Sequence, residues 1–291
     1  MTLKKRLIAA IVVKDGVAVQ SIGFRRFLPV GRPEIAAEFL NRWGIDEILL
    51  QDISASRQGR GPDRELLAAV AARCFVPLTV AGGIASVEDA HRVTQSGGDK
   101  VAVNTAAAEN PALIRAIADR FGNQCAVASI DAVRGGDGQY ETVTRGGRES
   151  TGLRPEEAAR IFADHGAGEI LITAVDRDGT KRGFDEKLVA AVAGAVNIPV
   201  IASGGAGCPA HFLDVLKIPG VSAAAAANYF NFTEHSVLTT KAFLCATGAA
   251  LRNDTYANYA GRTFDTSGRT AKRSERDLDE LMFEYQPEEV I

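Results

Sequence analysis

The sequence predicts an α/β protein: a single (β/α)8 TIM barrel built from two (β/α)4 half-barrel repeats, with a C-terminal extension. Three observations lead there. Short, β-rich apolar runs alternate with amphipathic helical stretches along most of the chain. The runs are apolar throughout rather than at every second residue, the mark of parallel strands covered on both faces. The halves also repeat: "IDEILLQDIS" from Ile45 matches "AGEILITAVD" from Ala167, and "VPLTVAGGIAS" matches "IPVIASGGAGC", both displaced by 122 residues. Self-similarity at a fixed displacement signals repeated architecture, and eight βα units in about 245 residues favour a closed barrel over an open sheet.

Taken in order, the expected strands are Arg6–Val13, Glu47–Ile53, Leu78–Ala81, Lys100–Asn104, Cys125–Asp131, Glu169–Val175, Pro199–Ser203 and Ser222–Ala227. Between them "PEIAAEFLNRW", "DRELLAAVAARC", "SVEDAHRVTQSG" and "RPEEAARIFADHG" read as helices, started by Pro33, Asp63, Ser86 and Pro155 and several ending near glycine. The barrel is expected over residues 1–248. Residues 249–291 break the pattern with a polar, turn-rich stretch too short to hold its own core, read as an appendage on the barrel or on a partner.

A net charge of −3 gives no footprint for nucleic acid. No apolar run approaches membrane-spanning length. "MTLKKRLIAAIVVKDG" has a basic head, but its apolar part is β-branched and lacks a small-residue cleavage site, so it reads as a strand, not a signal peptide. Four scattered cysteines without metal-ligand spacing suit a reducing cytoplasm. No GxGxxG follows the first strand and the four histidines fall in helical stretches, so neither a cofactor nor a metal is expected.

Function in such a barrel sits at the C-terminal ends of the strands. Two glycine pairs stand there, Gly82-Gly83 and Gly204-Gly205, each followed by a strand with a small or polar end, Asn104-Thr105 and Ala227-Asn228. Bare glycine backbone admits a phosphate to its N–H groups, and matched copies suggest a ligand with a phosphate at each end. The plainer alternative is that the glycines only permit tight turns. The acids at the mouth are Asp52, Asp131, Asp176 and Asp178. Asp131 ends an apolar strand and is the general acid–base candidate; Asp176 reads better as a salt bridge or cap. Arg57, Arg177 and Lys181 are solvated or phosphate-facing. At the opposite face Arg6, Glu47, Lys100 and Glu169 each precede an apolar strand, forming a ring of alternating charge on the barrel floor. By itself that ring reads as a stabilising plug.

From Arg6 to Leu244 the sequence resembles the HisF family, the cyclase subunit of imidazole glycerol phosphate synthase. "DKVAVNTAA", "FGNQCAVASIDA", "GAGEILITAVDRDGTKRGFD" and "IASGGAG" carry the likeness. It implies a barrel paired with a glutaminase whose ammonia crosses to the far face and reacts with a bisphosphorylated ribulosyl aminoimidazole carboxamide ribotide. It also implies that Gly83, Asn104 and Thr105 form one phosphate site, and Asp178, Gly179, Gly205 and Asn228 the other. Asp131 matches one of two catalytic aspartates; Arg6, Glu47, Lys100 and Glu169 match the ammonia gate; Asp99 and Gln124 match positions at the glutaminase interface.

Four departures stand out against the family pattern. Val12 occupies the position of the other catalytic aspartate, Gln20 that of a substrate-holding loop lysine, Asn228 that of a serine, and Ala81 the first glycine of a GGG turn. The ammonia route is kept while the two-acid machinery is halved. This combination resembles a branch from surface-polysaccharide biosynthesis, in which the barrel and its glutaminase supply ammonia to an N-acetyl sugar amidotransferase. A third reading is a non-catalytic phosphate-binding scaffold that activates the glutaminase.

Overall fold

The computed structural model describes residues 4–232, 235–251 and 262–271; the remainder of the expected extension lies outside the described residues. The strands are β1 (Arg6–Lys14), β2 (Val17–Ile22), β3 (Arg26–Gly31), β4 (Glu47–Asp52), β5 (Leu78–Ala81), β6 (Lys100–Val103), β7 (Ala126–Arg134), β8 (Tyr140–Thr144), β9 (Glu149–Ser150), β10 (Glu169–Ala174), β11 (Val200–Ser203) and β12 (Val221–Ala226). Eight of them close into a parallel ring, β1-β4-β5-β6-β7-β10-β11-β12 and back to β1. The fold is a (β/α)8 TIM barrel, with every expected barrel strand present and its ends within about three residues of the expected ones.

The helices start where local chemistry directs. Asp63 accepts from the backbone N–H groups of Glu65 and Leu66, and Ser86 from that of Asp89, satisfying donors that the first helical turn leaves free. Pro33 and Pro155 fill the first helical position, where the missing N–H costs nothing. The helices bury their apolar stripes against the outside of the barrel in one continuous core that includes Phe212, Ile114, Ile117 and Leu67.

Inside the barrel, the alternation of each strand sorts residues into layers. The floor holds the four charges. The middle holds Ile8, Leu49, Val127, Leu171 and Ile201, with alanine at residues 10, 81, 102, 223 and 225. Bulky branched side chains usually fill this layer, so these alanines leave a lean interior. The top opens into the mouth.

Two antiparallel hairpins absent from the sequence reading interrupt the βα rhythm. β1 runs on into β2 and β3, and β7 into β8 and β9. They are equivalent appendages of the two half-barrels, and both fold over the mouth. Their tips approach each other: a Cβ built on Gly147 would lie 3.9 Å from the Phe24 ring.

Residues 262–271 form a tight turn bridged at Phe264 and Thr270 that lies on the barrel. Phe264 meets Phe243 edge-on at 5.7 Å, and Ser267 O accepts from the backbone N–H of Ala210.

Beneath the barrel, Lys241 is 1% exposed. Its Nζ donates to Asp46 Oδ1 at 2.7 Å and to the carbonyl of Gly44 at 2.6 Å. Asp46 Oδ2 in turn accepts from the N–H of Leu7 at 2.8 Å, so the pair braces β1 against β4 next to Arg6 and Glu47. Lys241→Met leaves the Asp46 carboxylate buried without its counter-charge. It should cost ~3–5 kcal/mol in denaturant unfolding, with much of the loss recovered by adding Asp46→Asn.

Candidate functional site

The cavity at the C-terminal mouth has a volume of about 870 Å³ and reaches from the two hairpins down to Ala10, Ala81 and Ala102 in the middle layer. Of the expected mouth residues, Asp52, Arg57, Asp131, Asp178, Lys181, both glycine pairs and the strand ends Asn104-Thr105 and Ala227-Asn228 line it, as does Val12; Asp176 and Arg177 do not. The glycine turns are demanded by packing as well as by any ligand. Gly82, Gly83, Gly204 and Gly205 all have positive φ. A Cβ on Gly82 would sit 2.1 Å from Asp52 O, and one on Gly205 2.1 Å from Gly183 O. These turns press backbone on backbone so tightly that only glycine fits.

Asp131 is 5% exposed. It accepts one hydrogen bond from Asn104 Nδ2 at 3.0 Å. Burial pushes its carboxyl up to about 7; the Asn104 donor partly opposes this, and the nearby Asp178 charge adds to it. A carboxyl poised there can both take and give a proton at neutral pH. Val12, on the equivalent strand of the other half, lines the same cavity with two methyl groups.

The remaining acids have structural duties. Asp52 accepts from the N–H groups of Ser54 and Ala55 and pairs with Arg60 at 2.6 Å, organising the loop after β4. Asp176 accepts from the N–H of Arg134 at 2.6 Å and holds the extension of β7. Burial raises the Asp178 carboxyl too, against the hydrogen bonds it accepts from Ser21 Oγ and the Phe24 N–H. Asp15 is exposed at the β1–β2 turn and does not line the cavity. Among the described residues no cluster of His, Cys, Asp or Glu could hold a metal ion, and all four cysteines are free.

On the floor, the four charges close a ring. Arg6 pairs with Glu47 at 2.8 Å and Glu169 at 2.7 Å; Lys100 pairs with each of them at 3.1 Å. Thr79 Oγ1 donates a further bond to Glu47, which is 1% exposed. Burial opposes the Arg6 charge, but Glu169 and Glu47 outweigh it and push the guanidinium up. Asp99 and Gln124 lie exposed at the same face. Asp99 Oδ2 accepts from the N–H of Leu78 at 2.8 Å, and Gln124 follows the helix Ala112–Phe121 in the turn that leads to β7.

A profile described as "Histidine biosynthesis protein" matches residues 6–236, most of the chain and nearly all of the barrel. The chain belongs to the HisF family of histidine-biosynthesis proteins. It is 46% identical over 250 residues to the imidazole glycerol phosphate synthase subunit HisF of Hyphomonas neptunium, covering 86% of this chain and 99% of that relative. It is likewise 46% identical over 252 residues to the HisF subunit of Pyrococcus furiosus, covering 87% and 100%. In both alignments the relative is spanned almost end to end, while the uncovered part of this chain is about as long as its extension.

Sequence reasoning missed Ser21, whose partners include Asn228 and Asp178, and the two arginines of the β8–β9 hairpin that reach the cavity, Arg145 and Arg148. The signals were the alternation in "VAVQSI" and the glycines flanking each hairpin, at 16 and 31 and at 138 and 152.

The raised carboxyl of Asp131 sets the sign of a stability test. Its proton is held more tightly in the folded than in the unfolded chain. The cost of burying the charge is therefore full above about pH 7 and vanishes as pH falls below 3.8, the ordinary value. Asp131→Asn, which keeps the shape, should raise the melting temperature at pH 8 and give no gain at pH 4.

Proposed function

We propose that this barrel is the synthase-side subunit of a glutamine-dependent complex. A glutaminase docks on the N-terminal face around Asp99 and Gln124 and hydrolyses glutamine to glutamate and ammonia. The ammonia passes the Arg6–Glu47–Lys100–Glu169 ring and the alanine-rich interior. At the mouth it meets a phosphate-bearing acceptor held at the glycine turns. One observation carries the reading: a closed ring of charge at the floor lies beneath a lean apolar layer that leads up to the cavity holding Asp131. Neutral ammonia crosses such a layer cheaply, whereas ammonium would give up its hydration.

Asp131 is the general acid–base group and Val12 contributes none. Where a relative uses two positioned carboxyls, this chain has one, and loss of such a group typically costs 10²–10⁴-fold. Cyclisation of the bisphosphate substrate is therefore slow here. Val12 and Gln20 also favour a second reading, in which the ammonia is bound for a sugar amidotransferase partner in surface-polysaccharide synthesis.

The test uses the purified chain with the bisphosphate substrate and high ammonium at alkaline pH, without glutaminase. The parent should turn over ~10²–10⁴-fold below a two-acid relative, Asp131→Asn should abolish the residue of activity, and Val12→Asp should raise it at least ~10-fold. Turnover equal to that of the relative would return the chain to histidine synthesis with Val12 compensated. No gain in a folded Val12→Asp variant would move the acceptor elsewhere. Glutaminase stimulation without ammonia reaching any acceptor would instead make the barrel a scaffold.

A further inference from the structure

The two hairpins treat the two candidate phosphate sites in opposite ways. Each reaches across to the other half-barrel. At the first site, built on Gly83, Asn104 and Thr105, the hairpin is held at the rim: the Arg145 N–H donates to Thr105 Oγ1 at 3.3 Å, and its guanidinium pairs with Glu109 at 2.6 Å, leaving Asn104 free of the hairpin. That hairpin brings Arg145 and Arg148 to the cavity wall, and Arg57 joins them from the loop after β4. Arg145 is neutralised by Glu109 and Glu149. Arg57 and Arg148 have no ion-pair partner among the described residues and remain available to an anion.

At the second site, built on Gly179, Gly205 and Asn228, the hairpin is tied down. Asn228 Nδ2 donates to Ser21 O at 2.6 Å, and the Ser21 N–H donates to Asn228 Oδ1 at 3.2 Å, so both ends of the carboxamide are used. Ser21 Oγ donates to Asp178 Oδ2 at 2.6 Å, and the Phe24 N–H to the same oxygen at 3.3 Å. The Gly23 N–H donates to Asp178 O at 3.1 Å. Ser21 fills the gap between Gly179 and Asn228: a Cβ on Gly179 would lie 2.7 Å from Ser21 O and 3.2 Å from Asn228 Nδ2. This hairpin shows Phe24 and Phe27 to the cavity, and among the described residues Lys181 is the only lining cation on that side.

We propose that the mouth takes a ligand with one phosphate monoester, bound at the Gly83–Asn104–Thr105 half by Arg57 and Arg148, with an uncharged opposite end against Phe24 and Phe27. Asn228 is the residue that closes the second half to phosphate. A dianion there would have to break a bidentate amide–backbone pair and lie against the Asp178 carboxylate, with Lys181 the one lining cation on that side among the described residues to offset both. The inference rests on the phosphate-binding reading of the first half. It adds that the acceptor carries a single phosphate.

Calorimetric titration of the full chain with ribulose 5-phosphate and ribulose 1,5-bisphosphate tests it directly. The two should bind within about 3-fold of each other, because the second phosphate finds no cradle; Arg148→Ala should weaken both by ~10-fold, as expected for a lost charge-assisted contact. Asn228→Ser, which releases Ser21, should tighten the bisphosphate alone by ~10-fold. Bisphosphate binding ~10-fold tighter than monophosphate binding in the parent would overturn the proposal, as would an Arg148→Ala variant with unchanged affinity. If neither ligand binds, the phosphate reading of the mouth falls and this proposal falls with it. Should Asn228→Ser fail to fold, the parent comparison still decides.

Discussion

Closure of eight parallel strands is the constraint on which everything else here depends. Once the ring shuts, alternate residues of every strand share one interior, and each level of it acquires its own chemistry. The lowest level must be sealed against water or lined with charge that seals itself. Arg6, Glu47, Lys100 and Glu169 do the latter, each acid held between two cations and each cation between two acids. Isolated, any one of these buried groups would cost several kcal/mol of desolvation; in a closed circuit every charge has two partners. The bracing of β1 against β4 by Lys241 and Asp46 holds two of the four donors and acceptors in register.

The same closure explains why Asp131 titrates near neutrality. Its strand delivers it to the mouth below the rim, where burial raises the cost of charge and a single amide donor answers it. Asp52 and Asp176 also stand at or just past the ends of strands, but their oxygens are committed to loop backbone and, for Asp52, to Arg60.

Much of this was legible in the sequence because it rests on local pattern and repetition. The eight strands follow from apolar runs between helix signals, and the pairing of halves from the repeated "GG" turns. The floor ring could be placed from four charges standing just before apolar runs, because strand starts share a level in a barrel. The hairpins were not legible: β8 and β9 are short and polar, and β3 is largely exposed, so neither pairing leaves a strong apolar signature. The partner of Asn228 was out of reach for another reason. Ser21 is 207 residues away, and nothing in either neighbourhood announces the contact. The glycine turns were read as phosphate cradles or mere turns, and the geometry shows that backbone crowding alone already requires glycine there.

Because each hairpin crosses the mouth to the half-barrel that did not produce it, neither half owns a complete site. A repeat that arose by duplication would begin with two identical ends and two identical clasps. From that point, change in one clasp alters recognition at the far end while leaving its own half untouched. The two ends of the cavity are thus free to diverge separately on a scaffold whose strands stay fixed. In this chain one clasp carries the arginines Arg145 and Arg148 and is held by Glu109, the other is aromatic and latched to Asn228 and Asp178. A barrel of this design can remodel one end of its cavity through changes in a single surface hairpin, without touching the ring of charge beneath.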